Sequence, residues 1–210
     1  MTIRPVKISE LEILLSIVRQ TFIDTYEHLN DPDDFQAYLK NNFTLEKLSE
    51  DFKPLPSDSL SSQSYDSNSK ERLSTEGDNQ IHRGAYFYFV ENENIYGYFK
   101  INLDKSSLES QSPVIYPSDF DYKKLKGIEI ERIYVMKEMK GQGIGRFMIE
   151  KTIEIAKING FDYVWLGVWA DNPVAIAFYQ KMGFTVFGEH IFMMGNDAQK
   201  DLLMMIEVLR

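Results

Sequence analysis

Three glycines at alternate positions, Gly141, Gly143 and Gly145, separate an apolar run from a long amphipathic segment. Glycine adopts positive φ and brings backbone N–H groups close to a ligand with no Cβ in the way. Where such a turn opens a helix, its free amides and the helix dipole face an anion together. The chemistry this offers is the binding of a diphosphate. The spacing differs from the dinucleotide fingerprint, and no later acidic residue is placed to hold a ribose. The Gly-Lys-Ser/Thr ending of a triphosphate loop is also missing. Neither dehydrogenase nor kinase chemistry is supported.

Two constellations flank the turn. Glu129 and Glu131 lie two apart in Ile128-Glu129-Ile130-Glu131-Arg132-Ile133-Tyr134-Val135. Strand alternation puts both carboxylates on one face and Arg132 on the other, where a structural role is expected. Downstream, Asn172-Pro173 reads as a helix cap followed by proline at the first turn. Tyr179 follows seven residues after the cap, on the same helical face, and presents a phenol at a fixed offset.

These residues need a frame. From Gly127 onward the pattern is strand, helix, strand, helix, strand: 127–135, 143–159, 163–169, a helix from Pro173, and closing strands at 184–188 and 202–208. Gly160 and Gly183 sit where helices should stop. A strand–helix–strand unit implies a parallel pair with a right-handed crossover. Upstream, 2–6 is a short strand, and Ser9 with Glu12 reads as a capping box opening a helix lined by Leu11, Leu14, Leu15, Val18 and Phe22. Asp31-Pro32 starts a second helix with Phe35, Tyr38 and Leu39, and 44–52 a third. The aromatic residues Phe22, Tyr26, Phe35 and Tyr38 read as core or rim packing, with a pocket lining as the alternative. Two aromatic runs, 85–91 and 95–103, joined by Asn92-Glu93-Asn94, signal a hairpin. A Ser/Pro-rich stretch at about 53–80 reads as a flexible insertion, and 104–121 as a polar loop.

The 210 residues suffice for one domain, 1–210, with a complete core. A formal net charge of −9 argues against a general nucleic-acid grip and suits a cationic substrate. The absence of cysteine excludes disulfides, thiolate metal sites and a cysteine nucleophile. The three histidines, His28, His82 and His190, are far apart, so no metal is expected. No signal peptide or membrane-spanning run is read, and a cytoplasmic location is expected.

Arg132-Ile133-Tyr134-Val135, the glycine turn and Asn172…Phe178-Tyr179…Met182-Gly183-Phe184 resemble the signature of the GNAT N-acetyltransferases. Within that superfamily, Trp165-Leu166-Gly167-Val168-Trp169, the Glu129–Tyr134 run and the carboxyl end, with His190-Ile191-Phe192 and Gln199-Lys200-Asp201-Leu202, resemble the PaiA-type spermidine/spermine acetyltransferases. The resemblance implies a mixed α/β fold: a central, largely antiparallel sheet with a parallel strand pair at an acetyl-CoA cleft and helices on both faces. It implies that Ile133, Tyr134 and Val135 hold the pantetheine and thioester carbonyl. The amides of Gln142, Gly143, Ile144, Gly145 and Arg146 would receive the pyrophosphate, with Lys140 and Gly141 also binding the cofactor. Lys140 stands where the family usually has Gln or Arg. Asn172 would bond the pantetheine arm, and Tyr179 would protonate the departing thiolate.

Amine acetylation needs a neutral amine, a polarised carbonyl and an acid for the leaving sulfur. A thiol of pKa about 8.5 and a phenol of about 10 make proton transfer from Tyr179 nearly balanced. Glu129 or Glu131 could take the ammonium proton, directly or through water, or bind the cation. Trp165 and Trp169 read as packing, with Trp169 able to border the cleft, and Lys181 as a solvated residue or a contact to a CoA phosphate. The expected activity is acetyl transfer from acetyl-CoA to a primary amine, preferably a polyamine, by a monomer or homodimer. The alternatives are another amine acceptor (a protein N-terminus, lysine, amino sugar or antibiotic) and a non-catalytic CoA-binding regulatory module.

Overall fold

In a computed structural model the described residues are 1–52, 84–103, 125–194 and 197–208. The Ser-rich stretch and the polar loop expected at 53–80 and 104–121 lie outside them. The strands are β1 (Thr2–Pro5), β2 (Ala85–Glu91), β3 (Ile95–Asn102), β4 (Gly127–Val135), β5 (Tyr163–Trp169), β6 (Thr185–Met194) and β7 (Asp197–Glu207). They form one sheet in the order β1-β2-β3-β4-β5-β7-β6. Neighbours pair antiparallel except β4 and β5, which run parallel. The helices are α1 (Leu11–Tyr26), α2 (Pro32–Asn42), α3 (Leu45–Asp51), α4 (Ile144–Ile158) and α5 (Pro173–Lys181).

Alternation along the strands divides the core in two. One face carries Tyr88, Phe99, Ile101, Ile128, Ile130, Val164 and Leu166 against Ile144, Met148 and Ile149 of α4 and Tyr179 of α5. The other carries Phe87, Phe89 and Tyr98 against Leu14, Val18 and Phe22 of α1, Phe35 and Leu39 of α2, and Leu48 of α3. Local caps set the helix starts. Asp31 Oδ1 accepts from the amides of Asp33 and Asp34 at 3.0 and 3.2 Å, and Thr44 Oγ1 from Lys47 at 3.2 Å.

Two expectations change. The entry to α1 is tied by Glu10, not by a Ser9–Glu12 box: Lys7 N–H donates to the Glu10 carboxylate at 2.9 Å, which also holds Arg4 of β1 at 2.7 Å. The closing strands are longer than 184–188 and 202–208, because pairing from His190↔Asp201 to Met194↔Asp197 continues where the apolar alternation has stopped.

The central strand is irregular in a way its own sequence does not announce. Lys100 pairs with Arg132 but Ile101 pairs with Ile130, so Glu131 is an extra residue bulged out of β4. The bulge resets the alternation. Arg132 therefore lies on the face that carries Glu129 and Glu131, and not on the opposite one as expected. Its guanidinium sits over the Phe43 ring, 5.7 Å from the centroid.

Lys100 is the cation around which that face is organised. Only 3% exposed, it holds Asp51 of α3 at 2.9 Å and Glu131 at 2.7 Å, with its ammonium over Phe87. Replacing Lys100 by Met keeps the stem and leaves two carboxylates sharing Arg132. Breaking a fully buried pair costs about 3–5 kcal/mol. Because the Asp51 side chain is 42% exposed, a loss of about 2 kcal/mol is expected in urea unfolding. A loss under about 0.5 kcal/mol would reduce the contact to an ordinary surface bridge.

Candidate active site

The parallel pair of strands is short. Gly127, Ile128 and Glu129 pair with Tyr163, Val164 and Trp165, and beyond Glu129 no register with β5 continues. The β4 edge from Ile130 to Val135 thus borders an opening between the strands. Met136 N–H bonds Tyr96 of β3 at 2.8 Å, so alternation aims the backbone groups of Ile133 and Val135 at the opening and those of Tyr134 at β3. Of the three residues expected to hold a pantetheine, two present free backbone there. Tyr134 instead contributes its ring, stacked on Tyr98 at 5.7 Å.

At the far end of β4 the chain passes through a short 3-10 turn, Lys137–Met139, into the glycine turn. Gly141 and Gly143 have φ of +80° and +81°, and no atom lies within 4 Å of a Cβ built at either. The left-handed backbone, not lack of space, requires glycine there. Gly145 differs from that expectation: it lies inside α4, and a Cβ on it would come 3.2 Å from the Phe178 ring of α5. Its role is close packing of the two helices.

The first intrahelical bond of α4 is Phe147 N–H to Gly143 O at 3.0 Å, so the amides of Ile144, Gly145 and Arg146 have no helical acceptor. Gln142, whose side chain turns back to the Glu138 carbonyl at 3.3 Å, is exposed, as are Lys140 and Arg146. Arg146 pairs weakly with Glu150 at 3.9 Å. Asn172 Oδ1 caps α5 by accepting from Ala175 N at 3.1 Å, and its side-chain nitrogen bonds nothing among the described residues. Lys181 is exposed.

Tyr179 is buried in the core on the α4–α5 side, beside Phe178 and Phe184. Burial pushes its phenol well above the ordinary value, and the nearby Tyr26 phenol adds to the shift. Tyr26 belongs to the core on the other side of the sheet. Tyr179 and Tyr26 thus belong to the cores on opposite faces of the sheet. Burial raises the phenols of both Tyr26 and Tyr134.

On that second face Asn102 Nδ2 donates to both Glu129 and Glu131, at 2.7 Å each. Glu129 is 6% exposed, whereas Glu131 is engaged by Lys100 and Arg132. Trp165 is core, packed with Phe187 and Met205, while Trp169 reaches the Tyr26 ring at 6.5 Å. His28 is exposed, His190 is buried, and His82 lies outside the described residues. Lys100, Tyr26 and the Tyr134 ring are site features that the motifs did not identify. A lone lysine inside the apolar run Tyr98-Phe99-Lys100-Ile101 was the available signal.

Residues 45–184 match the Acetyltransferase (GNAT) family, and the chain belongs to that family of acetyl-CoA-dependent N-acetyltransferases acting on amines. It is 28% identical over 205 residues to an uncharacterised N-acetyltransferase in the pepI 3' region of Lactobacillus delbrueckii subsp. lactis, covering 96% of this chain and 95% of that one. Its fold resembles that of the PaiA N-acetyltransferase of Thermoplasma acidophilum in complex with coenzyme A. The TM-score is 0.62 at 17% identity, over 98% and 97% of the two chains. It also resembles the spermidine N-acetyltransferase of Vibrio cholerae in complex with CoA and spermine. Here the TM-score is 0.59 at 16% identity, over 99% and 95%.

Gly143→Ala tests the turn. The left-handed backbone costs alanine about 1 kcal/mol, a shift of a few degrees in Tm. If the turn receives the diphosphate of acetyl-CoA, the added methyl group stands in its way and the Kd should rise about tenfold, or about 1.4 kcal/mol. An unchanged Kd by calorimetry would remove the turn from the binding site.

Proposed function

We propose that this chain passes the acetyl group of acetyl-CoA to a primary amine, with a polyamine such as spermidine as the preferred acceptor. The observation that carries this reading is the opening between β4 and β5. It exposes the Ile133 and Val135 backbone and puts the Tyr179 phenol on one side of the sheet and an aromatic, carboxylate-bearing wall on the other.

Backbone groups of Ile133 and Val135 orient the thioester, and Tyr134 lines the opening with its ring. The amides from Gln142 to Arg146, opened by Gly141 and Gly143, receive the pyrophosphate, with Lys140 beside them. The Asn172 side-chain nitrogen bonds the pantetheine arm. Glu129 takes the proton from the acceptor ammonium, directly or through water. Glu131 is instead engaged by Lys100, Arg132 and Asn102. Tyr179 gives its proton to the leaving thiolate. A raised phenol pKa keeps this group protonated throughout the neutral range, as an acid must be.

The polyamine preference draws on the net charge of −9, which favours a cationic acceptor, and on the fold shared with an enzyme solved with spermine. Acetyl transfer to spermidine, followed as thiol release, checks it directly. Turnover with other amines but not with spermidine would remove the acceptor assignment and leave the reaction.

Tyr179→Phe should lower kcat by about 10²–10³-fold with little change in the Kd for acetyl-CoA. Because the phenol pKa lies above its usual value of about 10, loss of its proton should not lower kcat below about pH 9.5. An undiminished rate in the phenylalanine variant would sink the acid assignment.

A further inference from the structure

The carboxylates on the acceptor side of the opening are not equivalent. Asp51 and Glu131 are each shared between Lys100 and Arg132, so those four side chains sum to zero charge. Glu129 is buried and accepts from Asn102. Asp201 of β7 stands apart. Its nearest basic group is His190, with Nε2 3.5 Å from Oδ2, and no lysine or arginine pairs with it among the described residues. The imidazole flanks the carboxylate without the close contact that Lys100 makes with Asp51 at 2.9 Å. The His190 side chain is itself buried, and its Nδ1 has no partner among the described residues.

The surroundings of Asp201 suit a cation. It pairs in register with Trp169, whose ring lies 6.5 Å from Tyr26. Tyr26 and Tyr38 both pack on Phe22, at 4.7 and 5.6 Å. Burial raises both phenols, and the Asp201 charge adds to the rise. Gly167, exposed on β5, puts no side chain beside the carboxylate, where even a Cβ would lie 3.5 Å from Asp201 Oδ2 and 3.8 Å from His190 Cε1. Gln199 Nε2 donates to Asn30 Oδ1 at 2.9 Å and ties this end of β7 to the α1–α2 connection. Trp169 ends the part of β5 that runs past its last pair with β4, so Asp201, in register with it, stands on the β5 side of the opening.

A carboxylate walled by aromatic faces is a site for an ammonium group. The reacting nitrogen must be neutral to attack, so a cation held at Asp201 is a different nitrogen of the same molecule. We infer that Asp201, beside the side-chain-free Gly167 and in register with Trp169, whose ring neighbours Tyr26, anchors a second, non-reacting ammonium of the acceptor. The substrate class is then a diamine or polyamine, and Asp201 is the residue that selects it. The inference rests on the acetyl-transfer reading above.

The test compares 1,4-diaminobutane with n-butylamine, which lacks the second cation. The native protein should favour the diamine at least tenfold in kcat/KM, and Asp201→Asn should lower that ratio about tenfold or more. A native ratio near one, with butylamine acetylated, overturns the anchor but leaves acetyl transfer standing. A preference retained by Asp201→Asn overturns its location. Should that variant not fold, Trp169→Leu must lower the same ratio, and an unchanged ratio counts against the site. If the native protein acetylates neither amine, the reaction assignment fails and calorimetry decides the anchor separately. Binding of 1,4-diaminobutane to the CoA-loaded protein that is lost in Asp201→Asn supports it; absent or unaffected binding overturns it.

Discussion

The parting of β4 from β5 is the constraint on which everything else rests. Parallel strands in a buried sheet ordinarily share a continuous ladder, and leaving it unfinished exposes N–H and C=O groups that must find partners. Here three register pairs are made and the remainder of β4 is left open on one edge. The bulge at Glu131 lies just beyond the last pair, where an extra residue bends a strand and increases its twist. The same bulge turns Arg132 toward the α1–α3 face, returns Ile133 to the α4–α5 core, and so decides which backbone groups line the opening. A ladder completed to Val135 would leave no passage between the Tyr179 side and the Tyr26 side.

An opening in a sheet has to be stiffened from outside it. On one side α4 and α5 do this, their approach set by the Gly145–Phe178 contact. On the other, Lys100 joins α3 to the bulge, drawing Asp51 and Glu131 onto one ammonium while Arg132 completes the charge balance. A buried cluster of this kind is weak evidence for stability, since desolvation opposes attraction. Its stronger consequence is positional. It fixes the bulged carboxylate and removes its charge from competition, so that charges elsewhere on the wall can address a ligand.

Local signals in the sequence were legible. The glycine turn, the Asn172-Pro173 cap, the Asp31-Pro32 start and the strands 127–135 and 163–169 depend on residues within a few positions, and each stands where alternation and capping put it. What failed was non-local. The facing of Arg132 depends on how β3 pairs with β4, which strict period-two reading of β4 alone cannot contain. The length of the β6–β7 hairpin follows from cross-strand pairing of the continuous apolar run Ile191–Met194 with the mostly polar Asp197–Lys200, which alternation within either strand does not reveal. Glu10 replaced the expected box because Arg4, on a different element, draws its carboxylate. The pairing of Lys100 with Asp51 joins positions 49 apart, and Asp201 gains its meaning only from Trp169, Gly167 and Tyr26 around it.

The raised phenol of Tyr179 looks at first like a handicap for its proposed role, since a weaker acid protonates a thiolate less readily. Burial, however, acts on charge and not on the identity of the group. The leaving sulfur passes from a neutral thioester to an anion, as the phenol passes from neutral to phenolate, and a dry cleft disfavours both anions. The proton affinity of a thiolate released beside Tyr179 rises by the same cause that raises the phenol, so their difference stays near that of the free groups, about 1.5 units. Desolvation thus keeps the acid loaded with its proton without undoing the match between donor and acceptor. An exposed tyrosine facing an exposed thiolate would have a similar match but would let water compete for both. The position of Tyr179 in the core, at the edge of the opening, therefore suits proton delivery better than a solvent-facing position on the same helix.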